Sequence, residues 1–112
     1  MQREDRARIS DMIVAAEKVT RFVAGRRRQD LDTDDMLQFA CIRGIEIIGE
    51  AAINISSAMR DAHPEVPWRK MAGMRNRIVH AYFEIDLDVV WKTATEELPQ
   101  LLPVFRKIER DL

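Results

Sequence analysis

The chain has 112 residues, a formal net charge of −1, and 46% hydrophobic and 33% charged residues. That balance suits a single folded domain, 1–112, with one core, and excludes a disordered polymer. No apolar run approaches the roughly 20 residues of a membrane span, Met1-Gln2-Arg3-Glu4-Asp5-Arg6 lacks the apolar centre of a secretory signal, and the lone Cys41 offers no intrachain disulfide; the expected setting is the cytoplasm.

Helical periodicity runs from end to end. Between about Glu4 and Ala24, Ile9, Met12, Ile13, Ala16, Val19, Phe22 and Val23 recur at three- and four-residue steps, predicting an amphipathic helix. Gly25 ends it, and Arg26-Arg27-Arg28 suits the negative end of its dipole. Contact with RNA is the alternative reading of that run. Asp32-Thr33-Asp34-Asp35 supplies caps for a second, long helix reaching about Asp61. Gly44 and Gly49 each cost it about 1 kcal/mol of helix propensity, tolerable where another backbone approaches closely. A polar line, Arg43, Glu46, Glu50, Asn54 and Ser57, is either a solvated face or the wall of a groove.

His63-Pro64-Glu65-Val66-Pro67-Trp68 reads as a connector, because two prolines forbid a continuous helix and Pro67 can begin the next. His63 is expected to pack or face solvent there. The next helix is predicted to run through Phe83 and to break around Glu84 to Asp86. Asp86 then caps a helix carrying Leu87, Val90, Trp91 and Ala94. Pro99 and Pro103 allow either a fresh final helix or a kinked continuation. The predicted fold class is all-α, an antiparallel bundle of four or five helices.

The chemistry concentrates in Met74-Arg75-Asn76-Arg77-Ile78-Val79-His80-Ala81-Tyr82-Phe83. From Val66 to Phe83 stand four basic residues, Arg69, Lys70, Arg75 and Arg77, and no acidic one, a local positive field suited to an anionic partner. In a straight helix Asn76 and His80 share a face at i,i+4, Arg75 nearly eclipses Tyr82, and Arg75 and His80 diverge by about 140°. A working pair would then need a bend, a curled arginine, or a second copy across a two-fold axis. The last is the expectation.

The run Arg75, four residues, His80, one residue, Tyr82, directly after Gly73-Met74, resembles the RX4HXY signature of the HepT toxins, a branch of the HEPN superfamily. Arg43-Gly44-Ile45-Glu46-Ile47-Ile48-Gly49-Glu50-Ala51-Ala52 is similar to that family's second-helix signature. His63 to Trp68 resembles its connecting loop, and Phe83-Glu84-Ile85-Asp86 followed by Val90-Trp91 its continuation. The resemblance implies a HEPN-like helical homodimer acting as the toxin of a type II/VII toxin–antitoxin pair. Its activity would be a metal-independent endoribonuclease on cellular RNA, its partner a minimal nucleotidyltransferase antitoxin that adds AMP to Tyr82. Arg43, Glu46 and Glu50 would line the groove.

The residue types agree with metal-free phosphodiester chemistry. Two histidines and one cysteine lack metal-site spacing, no glycine-rich phosphate loop appears, and no cofactor is expected. Cys41 reads as a small buried apolar group. RNA carries its own nucleophile, the 2′-hydroxyl, so the expected catalytic set is small. His80 moves protons, Arg75 holds developing phosphate charge, and Asn76 orients the ring or donates to phosphate. Arg77, Arg69 and Lys70 are the expected contacts to the RNA backbone. Tyr82 has two further readings, a packed ring or a platform for a base. Two rivals come from another class: a non-catalytic helical binding subunit that pairs with a nucleotidyltransferase, and a scaffold whose basic helix docks an acidic partner.

Overall fold

The computed structural model describes residues 3–81 and 84–112, with Arg3 and Val79–Ala81 described by their backbone alone. The architecture is the all-α bundle expected, with one small hairpin added. Helix α1, Arg3–Val23, packs on α3, Asp35–Ile53, and on the C-terminal helix. The first two are antiparallel: Asp5 meets Ser56 at one end, while Phe22 and Ala40 share a groove at the other. Ile9, Met12, Ala16 and Val19 from α1 interlock with Cys41, Ile45 and Ile48 from α3, and with Leu98, Phe105 and Ile108. All are withdrawn from water, and each large apolar side chain so buried is worth about 1.5–3 kcal/mol.

Helix α1 ends as its sequence implies, at Gly25 in the left-handed region with φ 73°. A short helix α2, Asp30–Thr33, then precedes Asp34, which caps α3 by accepting from the Leu37 N–H at 3.1 Å. The close approach expected at the two glycines is real. A Cβ on Gly44 would collide with Val19 of α1, and one on Gly49 would lie 3.3 Å from the Met71 carbonyl oxygen.

The second helix does not reach Asp61. It stops at Ile53, and α4, Ser57–Ala62, starts anew. The cause is Ser56, whose hydroxyl accepts from Met59 N–H at 3.1 Å and donates to Asp5 at 2.6 Å. Buried Asp5 also takes the Ser56 N–H at 2.9 Å, so the break is tied to the start of α1. The connector behaves as predicted: Pro67 precedes α5, Trp68–Ala72, and the Trp68 indole donates to the His63 carbonyl at 2.9 Å.

Gly73 then turns the chain into α6, Met74–Ile78. Here the single helix predicted through Phe83 fails. Val79–Ala81 forms strand β1, paired antiparallel with β2, Glu84–Ile85, through an irregular register. β-Branched Val79 and Ile85 suit extended backbone, and the Asp86 N–H closes the hairpin on the Ile78 carbonyl at 2.6 Å. Asp86 caps α7, Leu87–Lys92, as expected, accepting from Val89 N–H at 3.1 Å.

The last segment is a continuation rather than a fresh helix. A π turn, Thr93–Glu97, links α7 to α8, Leu98–Arg110, with the Leu98 N–H bonded to the Thr93 carbonyl. Pro99 has no N–H to donate, and the wider turn lies directly before it. No helix among the described residues is long and apolar enough to cross a membrane.

Candidate functional site

Helix α6, which carries Arg75, Asn76 and Arg77, lies beside α3 and runs directly into strand β1, which carries His80. The Arg75 guanidinium is exposed and stands 3.9 Å from the Glu46 carboxylate on α3. One turn away on that helix Glu50 reaches Arg43, also at 3.9 Å, and both are well exposed. The polar line on α3 therefore does flank Arg75, through Glu46, and its remainder is a solvated face. It ends early: Asn54 closes α3 by donating to the Glu50 carbonyl at 2.9 Å, and Ser57 belongs to α4. Arg43 and Glu50 also border an open cleft of about 280 Å³ with Arg8, Asp11 and Asn54.

The other cations of the segment have a different fate. Arg77 makes a two-pronged pair with Glu97 at 3.1 and 3.3 Å, and Lys70 meets the same carboxylate at 2.8 Å. Thr93, itself buried, donates its hydroxyl to Glu97 at 3.1 Å. The π turn thus aims one carboxylate at α5 and α6 together. Burial alone would push the Glu97 carboxyl up, but the hydrogen bonds from Lys70 and Arg77 outweigh it and hold the group at about 2.

The unbroken positive field expected here is accordingly reduced. Three of the four cations now face two carboxylates, Glu46 and Glu97, neither of which belongs to the segment. Of the expected RNA contacts, Lys70 and Arg77 are occupied by Glu97. Arg69 is exposed and makes no ion pair among the described residues. Sequence reasoning missed Glu97 and Thr93. Nothing in the run Thr93-Ala94-Thr95-Glu96-Glu97 marks which acid turns inward, and Arg77 lies 20 residues away.

His80 stands on β1, not on the helix that carries Asn76. The i,i+4 pairing of Asn76 with His80 therefore falls, and so does the continuous helix that would have eclipsed Arg75 with Tyr82. Asn76 is exposed on α6. Tyr82 and its suggested modification lie outside the described residues.

The remaining candidates resolve as structure. Cys41 is fully buried, and desolvation pushes its thiol up to about 11, far from the range of a nucleophilic thiolate. His63 ends α4 with its ring 3.3 Å from Glu65. In the arginine run, Arg26 pairs with Asp34 at 2.8 Å and Asp30 at 3.3 Å, and Arg28 with Asp88 at 2.7 Å and Asp32 at 3.2 Å. The Arg26 bond and the Leu37 N–H together hold the Asp34 carboxyl below its usual range. These pairs lace the α1–α3 turn to α7, which is the solvated structural role. Among the described residues, no three His, Cys, Asp or Glu side chains gather as a metal-holding group.

Comparison with known proteins identifies the family. The chain is 41% identical over 110 residues to "Probable ribonuclease HepT" of Thermococcus cleftensis, covering 98% of this chain and 100% of that protein. It is 32% identical to "Putative RNase MJ0125" of Methanocaldococcus jannaschii, over 99% of this chain and 96% of the relative. It is 39% identical over 79 residues to "Putative RNase TTE0752" of Caldanaerobacter subterraneus subsp. tengcongensis, 70% of each chain. No solved structure matches significantly. The sequence profile described as "Ribonuclease HepT-like" matches residues 12–108, nearly the whole helical bundle and all of the Arg75–His80 junction, so the chain belongs to the HepT-like family.

Proposed function

We propose that this chain is a metal-independent endoribonuclease, the toxin half of a toxin–antitoxin pair. The observation that carries the reading is a contrast among neighbours. Lys70 and Arg77 are held by Glu97, whereas Arg75 stays exposed with only a loose 3.9 Å contact to Glu46. An exposed guanidinium on a short helix braced from behind suits a phosphate better than a structural ion pair. The names borne by the relatives support the same class of reaction.

In the reaction, a base takes the proton of a ribose 2′-hydroxyl and its oxygen attacks the adjacent phosphorus. The bond from phosphorus to the 5′ oxygen breaks, and that oxygen receives a proton. The products are a 2′,3′-cyclic phosphate and a 5′-hydroxyl. His80 carries protons, for which an imidazole is suited near neutral pH. Arg75 holds the charge that builds on the phosphate oxygens. Asn76 and Arg69, both exposed, supply further donors to the strand, and Arg77 sets the pose of α6. Two copies together complete the groove. End-group analysis of cleaved RNA tests this directly. Cyclic phosphate and 5′-hydroxyl ends are expected with chelator present, and 3′-hydroxyl and 5′-phosphate ends would overturn the mechanism.

Silencing is assigned to Tyr82. A nucleotidyltransferase antitoxin would transfer AMP from ATP to the phenol oxygen and release pyrophosphate, placing a bulky anion two residues from His80. Intact mass after co-expression with such a partner should rise by AMP units, and Tyr82→Phe should abolish the rise. An unchanged wild-type mass would contradict modification.

A further inference from the structure

A cavity of about 450 Å³ lies at the end of the bundle where α1 begins, beside α4 and Leu112. Ala58, Met59 and Ala62 of α4 give it apolar walls together with Leu112, and its polar groups are Asp5, Ser56 and His63. None of these residues carries an amine or a guanidinium, and none is assigned above to the chemistry on RNA. The volume falls within the range of about 300–1,000 Å³ usual for small-molecule sites. Apolar walls with a few convergent polar groups are the make-up of such sites, and they leave ordered water short of the polar partners it needs.

The polar groups set the sign of the ligand. Asp5 is only 1% exposed, yet both hydrogen bonds to its carboxylate come from neutral donors, the N–H and the hydroxyl of Ser56. No ion pair reaches it among the described residues. A buried charge is costly without a counter-charge, and a cation close by offsets that cost. Ser56 is less deeply buried than Asp5 and connects it to the cavity. Its hydroxyl gives its proton to Asp5 and accepts the Met59 N–H at 3.1 Å, which leaves one lone pair of the oxygen for a further donor. A positive donor there would complete a hydrogen-bonded chain that ends on the carboxylate. The other ionisable group, His63, already faces Glu65 at 3.3 Å.

We propose that this cavity binds a small amphipathic cation, an amine with a compact apolar body. Its ammonium donates to Ser56 Oγ in the field of Asp5, and its body packs against Met59, Ala62 and Leu112. At about 30 Å³ for each water displaced, the space takes a ligand of about fifteen non-hydrogen atoms or fewer. A carboxylate or phosphate of the same size would meet the Asp5 charge and be rejected, so the site selects the opposite sign of charge from RNA. Ser56 caps α4 and ties it to the first turn of α1. An occupant therefore stabilises that end of the bundle, by binding the folded chain and not the unfolded one.

Phenethylamine tests the assignment on the full chain at neutral pH, with hydrocinnamate and phenethyl alcohol as anionic and neutral probes of like shape. The amine should raise Tm and shift the backbone amide resonances of Ala58, Met59, Ala62 and Leu112. It should bind about tenfold or more tightly than either of the other two. Asp5→Asn should lower the affinity for the amine about tenfold or more and leave that for the alcohol unchanged. Ala62→Phe fills the cavity from an exposed position of α4 and leaves Asp5 and Ser56 in place. It should abolish binding of the amine, and it decides the matter if Asp5→Asn does not fold. Equal affinity for the three probes, resonance shifts confined to other residues, or amine binding undiminished in Ala62→Phe would overturn the site.

Discussion

Replacing His80 with alanine should lower RNA cleavage by about 10²–10⁴-fold, the usual contribution of a positioned proton carrier. Arg75→Ala should lower it by about 10²–10³-fold, the cost of removing one donor to developing charge. For Arg75 the loss should come without a loss of stability, because its side chain is exposed and its contact with Glu46 is long. Arg75→Lys should recover only part of the rate, since an ammonium keeps the charge and loses the planar fork. In a host, both alanine variants should permit growth where the wild type arrests it. Variants as active as the parent would remove these residues from the chemistry and favour a non-catalytic binding subunit.

Glu97→Gln should act on the fold first. The Glu97 side chain is 12% exposed and takes Lys70, Arg77 and Thr93 at once. Neutralising it leaves two cations facing an amide, which should cost about 1–3 kcal/mol at neutral pH. The pH dependence has a definite sign. The carboxyl sits at about 2 in the folded chain against an ordinary 4.5, so its contribution is complete above 4.5 and fades as pH falls toward 2. Wild type should therefore lose more stability across that window than Glu97→Gln does, as chemical denaturation at stepped pH would show. Equal slopes for the two proteins would mean that the cluster does not brace α5 and α6. Cleavage should fall as well, because that brace sets the pose of the helix carrying Arg75.

The contrast between Arg75 and Arg77 shows what the sequence could and could not carry. Local signals were legible: Gly25 as a left-handed helix end, Asp34 and Asp86 as caps, and the prolines flanking Glu65 and Val66 as a connector. So was the tight contact at Gly44, because a glycine costs a helix interior too much to stand there without a close neighbour. Two of the misses depend on partners distant along the chain. The break after Ile53 comes from Ser56 meeting Asp5, 51 residues away. The capture of Arg77 by Glu97 needs a π turn whose widening no periodicity announces.

The strand at Val79 was missed for another reason. Ile78 and Val79 fit the apolar face of a helix and the pleat of a strand equally well in so short a run. What decides is the bond from Asp86 N–H back to Ile78, a tertiary choice that local propensity does not record. The motif's composition was thus readable, while its geometry was not. His80 stands on a hairpin strand rather than on the face of a helix.

The chemistry assigned to this junction makes the RNA supply its own nucleophile, and one substitution in the substrate isolates that step. A single-stranded RNA that the protein cuts should be resynthesised with one 2′-deoxynucleotide on the 5′ side of the scissile phosphate and incubated with the protein in chelator. Cleavage should vanish at that bond and persist at the others. Cleavage at the deoxy position would show that water, not the 2′-hydroxyl, attacks the phosphorus, and would contradict the roles given to His80 and Arg75.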